Sequence, residues 1–192
     1  MGINLIKGQK IDLTKHEPGL SQVLVGLGWD VNTSGRGYDF DLDASAFLLG
    51  VNGKALSDYD LVFFNNLVHN SGSVMSMGDN RTGNGEGDDE QIKVDLSKVP
   101  ANIAKIVFTV TIYDARKRKQ NFGQVSNAYI RVINEKNDKE LLRYSLNEKF
   151  STEMSIIAAE LYRSSGGWTF NALGEGFNGE IDDLCKKYGV KI

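Results

Sequence analysis

Residues 38–50 read YDFDLDASAFLLG, and from Asp39 to Ala46 polar and apolar side chains alternate. Asp39, Asp41 and Asp43 fall on one face, and Phe40, Leu42, Ala44 and Ala46 on the other, the period-two signature of a β-strand with one buried face. Three carboxylates on one face of one strand repel each other, so they must be well solvated or share a cation. A group of metal ligands is the sharper reading.

The neighbours toward the N-terminus carry the same logic. Residues 3–29 read as strands: GINLIKGQKIDL alternates weakly, and SQVLVGLGW is an apolar run whose Gly26 and Gly28 signal a bend or a close backbone approach. Asp30 ends that run and places a carboxylate at a strand terminus. Toward the C-terminus, DYDLVFFNNLVHN reads as a short buried strand over 61–64, ending in Asn65 and Asn66. An amide at a strand end caps or turns the chain, and Asn65 either does this or offers its oxygen to the same cation.

The second acidic group is the stretch GDNRTGNGEGDDEQIKVD, 78–95. From Asp79 to Glu90 it holds five acidic side chains and one arginine, a local charge near −4. Glycines 83, 85 and 87 let the backbone turn through positive φ and expose carbonyls, while Asp79, Asn80, Asp88, Asp89 and Glu90 add side-chain oxygens. Calcium takes about six to eight such oxygens. An EF-hand is excluded: in 39–50 Ala44 replaces the turn glycine and Gly50 the closing glutamate, and in 79–90 Arg81 and Asn84 stand at the third and sixth positions.

The rest of the chain supplies a frame. EQIKVDLSKVPANI reads as a strand and a short helical turn capped by Ser97. KIVFTVTIYDA, 105–115, is the strongest core strand, apolar enough on both faces to be packed on both. Strands also follow in QNFGQVSNAYIRVIN and NDKELLRYSL. MSIIAAELYRS is ambiguous by periodicity, and the glycine turn leading into GGWTFNALG favours a hairpin. NGEIDDLCKKYG spaces Ile181, Leu184, Cys185 and Tyr188 as a helix that Gly189 ends. The fold class is therefore all-β, a sandwich of antiparallel strands with a few short helices, one near the C-terminus, in a single domain over 1–192.

Composition narrows function. With 192 residues, 41% hydrophobic content and a net charge of −3, the chain reads as soluble and globular. No run reaches the roughly 18 apolar residues of a membrane span, and the N-terminus lacks the unbroken apolar stretch of a secretory signal, so a cytoplasmic location is expected. Residues 36–95 hold eleven acids against four bases, which argues against a nucleic-acid partner. The basic run RKRK, 116–119, reads as a solvated loop. His16 and His69 form no metal-spacing pair and read as surface or turn residues, Cys185 as helix packing, and Val74, Met75 and Met77 as core. No nucleophile elbow or phosphate loop is present, so no catalytic residue is assigned and the chain is expected not to be an enzyme.

Six segments together resemble the TerD family of tellurite-resistance and general stress proteins: GLGWD, FDLDAS, GDNRTGNGEGDDEQI, NFGQVSNAYIRV, ELYRSSGGWTFNALGEGF and the LCKKYG ending. The resemblance spans nearly the whole chain. It implies a β-sandwich that binds calcium, usually two ions, through Asp41, Asp43, Asp79, Asn80, Thr82, Asp88, Asp89 and Glu90, with Asp30, Asp39 and Asn65 as further candidates. It also implies partnership with other Ter-type proteins and with a TerC-like membrane protein at the inner face of the cell membrane. Two other classes stay open: a calcium-dependent lipid-binding module like a C2 domain, and a metal-dependent hydrolase.

Overall fold

The computed structural model describes residues 2–30, 37–78, 87–146, 150–164 and 166–192. Short alternating apolar runs leave each strand one face to bury, and the chain meets that need with two stacked six-stranded sheets. The first sheet runs in the order β1 (Ile3–Leu5), β10 (Lys139–Ser145), β9 (Tyr129–Asn134), β3 (Gln22–Gly28), β7 (Glu90–Asp95) and β6 (Val74–Ser76). The second runs β2 (Lys10–Asp12), β12 (Gly167–Phe177), β11 (Ser155–Ser164), β8 (Lys105–Ile112), β4 (Leu42–Leu49) and β5 (Leu61–Val62). All pairs are antiparallel except β1 with β10. The all-β expectation holds, including the hairpin of β11 and β12.

The main core lies between the sheets, where Leu42, Ala46 and Leu48 of β4 meet Val25 and Leu27 of β3 and Ile92 and Val94 of β7. A second apolar cluster lies on the outer side of the second sheet. There Phe47, Leu49 and Val107 are covered by Leu184, Cys185 and Tyr188 of α3 (Ile181–Tyr188). The helix forms where the sequence predicts it. Asp182 and Asp183 sit in its first turn and Lys186 and Lys187 in its last, as the helix dipole favours, and Gly189 at φ 83 ends it. This explains why β8 is apolar on both faces: one face meets the first sheet, the other α3.

Several local expectations are corrected, the first within the residues that read as strands, where α1 (Leu13–His16) is a helical turn capped by Asp12. After β7 the chain turns without a helix, and Ser97 donates through N and Oγ to Asp95 Oδ1 at 3.1 and 2.5 Å. β5 is shorter than 61–64, and Phe64 is exposed. Three of the four residues of the RKRK run lie in a helical turn, α2 (Ala115–Arg118), whose arginines pair with acids. His69 is buried, with its ring nitrogens 3.1 Å from Asp60 Oδ1 and 2.7 Å from Ser71 Oγ, so it ties two loops together. Val74 is core, but Met75 and Met77 are exposed.

Candidate metal centre

One end of the sandwich collects the carboxylates because four strand ends meet there. β3 finishes at Gly28, β4 begins at Leu42, β7 begins at Glu90 and β8 finishes at Ile112, with Leu42 opposite Ile112 and Leu27 opposite Glu90. Asp41, Asp43 and Glu90 are 8%, 7% and 6% exposed. Removing three carboxylates from water is costly unless positive groups or hydrogen-bond donors face them.

The donors come from distant parts of the chain. Glu90 Oε2 accepts from Ala44 N at 2.6 Å, a bond that bridges the two sheets. Arg118 Nη1 reaches Asp41 Oδ2 at 3.3 Å. Its guanidinium lies 4.9 Å from the ring centre of Tyr113 and 5.3 Å from that of Tyr38, so two aromatic faces hold it in place. α2 that carries it starts after Asp114 and ends before Lys119, both at positive φ, so the turn is locally strained and held by these contacts.

The adjacent acids Asp88 and Asp89 part company. Asp88 turns onto the outer face of the first sheet, where Arg131 Nε, Gln91 Nε2 and Tyr129 OH donate to it at 2.7, 3.1 and 3.2 Å. It lies so close to Gly26 that a Cβ there would stand 2.0 Å from its Oδ2, which is why glycine occupies that strand position. Asp89 stays at the rim: its N–H donates to Leu27 O at 2.8 Å, and its Oδ2 accepts from Trp29 N at 3.0 Å. Burial pushes the Asp89 carboxyl pKa up; the Trp29 amide opposes this, while the negative charges of Asp88 and Asp30 add to it.

The remaining expected ligands are placed less centrally. Asp30 is exposed and accepts from Asn127 Nδ2 at 2.6 Å. Asp39 is exposed, and its carbonyl accepts from Gln120 Nε2 at 3.2 Å. Asn65 lies exposed in the turn between Phe63 and Asn66, whose amide secures Leu61 O at 2.6 Å. Asp79, Asn80 and Thr82 lie outside the described residues. Among the described residues, no three His, Cys, Asp or Glu side chains are close enough to hold a metal ion alone.

Two contributors escaped the sequence reading. Arg118 sits in what reads as a solvated basic run. Gln120 is buried with its Nε2 spent on Tyr38 O and Asp39 O, while its Oε1 has no hydrogen-bond partner. A buried amide oxygen without a donor, on a side chain bonded to the Tyr38 and Asp39 carbonyls, suits a hard cation. Nothing in a lone glutamine of the sequence signals that position. Beside the rim, an open cleft of about 230 Å³ is lined by Met77, Gly78, Asp88, Asp89, Glu90 and Gln91, so the two adjacent aspartates border one cleft although their hydrogen-bond partners differ.

Comparison with known proteins gives a consistent set. The family model described as TerD domain matches residues 1–188. General stress protein 16U of Bacillus subtilis (strain 168) is 56% identical over 192 residues, 100% of both chains. Tellurium resistance protein TerD of Serratia marcescens is 50% identical over 190 residues, 99% of this chain and 98% of that protein. Among solved structures, a homologue of telluride resistance protein (TerD) from Streptomyces coelicolor A3(2) aligns with a TM-score of 0.70 and 26% identity, covering 87% of this chain and 95% of that one.

Proposed function

The chain belongs to the TerD domain family, and from that premise we propose that it is a calcium-binding stress-response protein of the tellurite-resistance type. In this reading it is non-enzymatic, an interaction module whose acid-rich end is shaped by the ion. The observation that carries the reading is the burial of Asp41, Asp43 and Glu90 together at one end of the sandwich. Carboxylate and amide oxygens are the donors calcium takes, and the described ones supply part of a shell. Asp79, Asn80 and Thr82 of the glycine-rich stretch would complete it. An ion bound only by the folded chain stabilises it by mass action. Partners of the proposed module are other Ter-type proteins and a TerC-like membrane protein.

The Ala44 amide, held by Glu90, is a direct probe of this reading. Hydrogen exchange at Ala44 and Asp89 should slow when calcium is added to metal-stripped protein and quicken with chelator. Equal exchange in both conditions would refute it.

A second reading has one observation in its favour. Met77 is 54% exposed beside Asp89 and Glu90, with Met75, Leu67 and Val68 exposed nearby along the chain, so an apolar surface does adjoin the acids. A lipid-binding module would use it. None of the described helices is long and apolar enough to cross a membrane. Sedimentation with anionic liposomes in calcium, lost in Met77→Ser, would favour this reading, and absence of co-sedimentation would exclude it.

A further inference from the structure

One side of the sandwich is built without charge. β6 and β5 end their sheets on the same side of the molecule and touch there. From Leu61 to Gly78 the chain that forms this side, LVFFNNLVHNSGSVMSMG, contains no Asp, Glu, Lys or Arg, although such residues make up 24% of the sequence. The strands at the opposite edges, β1 and β2, carry or adjoin Lys7, Lys10 and Asp12. Charges of that kind keep the sides of sheets from associating, so one side has this protection and the other lacks it.

The side chains on the uncharged side are apolar and exposed. Phe64, Leu67, Val68, Met75 and Met77 are 36–54% exposed, and Tyr113, with its ring centre 6.4 Å from that of Phe64, extends the band. Backbone pairing makes the band continuous: Val68 lies opposite Met75, and Leu67 O accepts from Ser76 N at 2.8 Å. A continuous apolar band of this kind marks an interaction surface. Its two ends carry opposite charge. At one end Phe64 and Tyr113 share a cleft of about 220 Å³ with Asp114 and Asp182. At the other, Met75 shares a cleft of about 200 Å³ with Lys93 and Lys98. Asp182 is exposed, and the Lys98 side chain stays 60% exposed while it pairs with Asp95.

We propose that this side is the interface of a homodimer, in which two copies pair antiparallel about a two-fold axis near Val68 and Met75. An uncharged band meets itself without repulsion. The antiparallel arrangement sets the Asp114 and Asp182 end of each copy against the Lys93 and Lys98 end of the other, so one pair of opposite charges is made twice. Apolar contact drives the association, and the charged ends fix its direction. A lipid surface would compete for Leu67, Val68 and Met77, but an anionic one would be repelled at the acidic end. None of the residues that carry the interface is a candidate calcium ligand.

The test is sedimentation equilibrium of the full chain in chelator, across a wide range of concentration. A reversible monomer–dimer equilibrium is expected. Val68→Lys should weaken it about a hundredfold, because it sets like charges together at the axis, and should leave the melting temperature unchanged where both proteins are monomeric. Lys98→Glu and Asp182→Lys should each weaken the dimer about tenfold, since each alters two symmetric contacts, and Lys98→Glu/Asp182→Lys in one chain should recover the wild-type affinity. The two residues line different clefts of a chain, so recovery must pass between copies. A monomer at every concentration, a dimer indifferent to Val68→Lys, or a double variant no tighter than the single ones would overturn the proposal. A chain that stays monomeric yet sediments with liposomes, and ceases to in Val68→Ser, would overturn it in favour of a lipid surface.

Discussion

The two halves of β4 are held by opposite means. On its outer face the strand reads Asp43, Ser45, Phe47 and Leu49; the last two are covered by α3, whereas Asp43 joins the acidic rim. The apolar half loses water to side chains it attracts. The acidic half loses water to the same fold and must be compensated by charges and donors brought from elsewhere. One strand with one alternation thus separates a region whose stability is intrinsic from a region whose stability, in the proposed reading, is conditional on a cation.

The largest expected effect lies on the apolar side. Leu184→Ala should cost about 3 kcal/mol of unfolding free energy, and equally with calcium or chelator present. Urea denaturation in both conditions measures it, and a cost that depends on calcium would erase the contrast.

The next effect sharpens the contrast by changing sign. Asp43→Asn/Glu90→Gln removes buried charge, so in chelator the variant should equal or exceed the wild type in stability. In calcium at a hundred times the dissociation constant it should lack the roughly 2.7 kcal/mol that binding contributes. A variant destabilised alike in both conditions would make these acids structural.

A smaller effect separates neighbours. Asp88→Asn should cost about 2 kcal/mol by leaving Arg131 short of a partner, again without regard to calcium. If calcium affinity falls while chelated stability holds, Asp88 belongs with the ligands rather than with the sheet.

The smallest is a matter of pH. The Ser97 hydroxyl chiefly, against the effect of burial and with help from Gln22 and Lys98, holds the Asp95 carboxyl down at about 2. A depressed folded-state value means that its contribution is complete above about pH 4, the ordinary carboxylate range, and is lost as pH falls toward 2. Asp95→Asn should flatten the acid limb of the stability curve in that window and nowhere else.

Sequence made the acid rim visible where alternation was strong. Asp41 and Asp43 announced themselves against Phe40 and Leu42, and the helix of Leu184 and Tyr188 stood out by spacing and by Gly189. What stayed hidden depended on partners far along the chain. The parting of Asp88 from Asp89 is decided by Gly26 and Arg131, each some forty to sixty residues away, and no local pattern distinguishes two adjacent aspartates. The Arg118 position needs Tyr38 and Tyr113 on either side, so one residue of a basic run whose other three members are exposed is tucked against the acid rim. His69 was misplaced for the same reason, because Asp60 and Ser71 give a polar ring the partners that burial requires.

Calorimetric titration of the metal-stripped chain with calcium, beside Asp43→Asn/Glu90→Gln, tests the central claim most directly. The account predicts saturable binding, micromolar or tighter on the order of calcium sensors, with affinity lost in the double variant. No saturable heat in the wild type, or equal affinity in the variant, would contradict it.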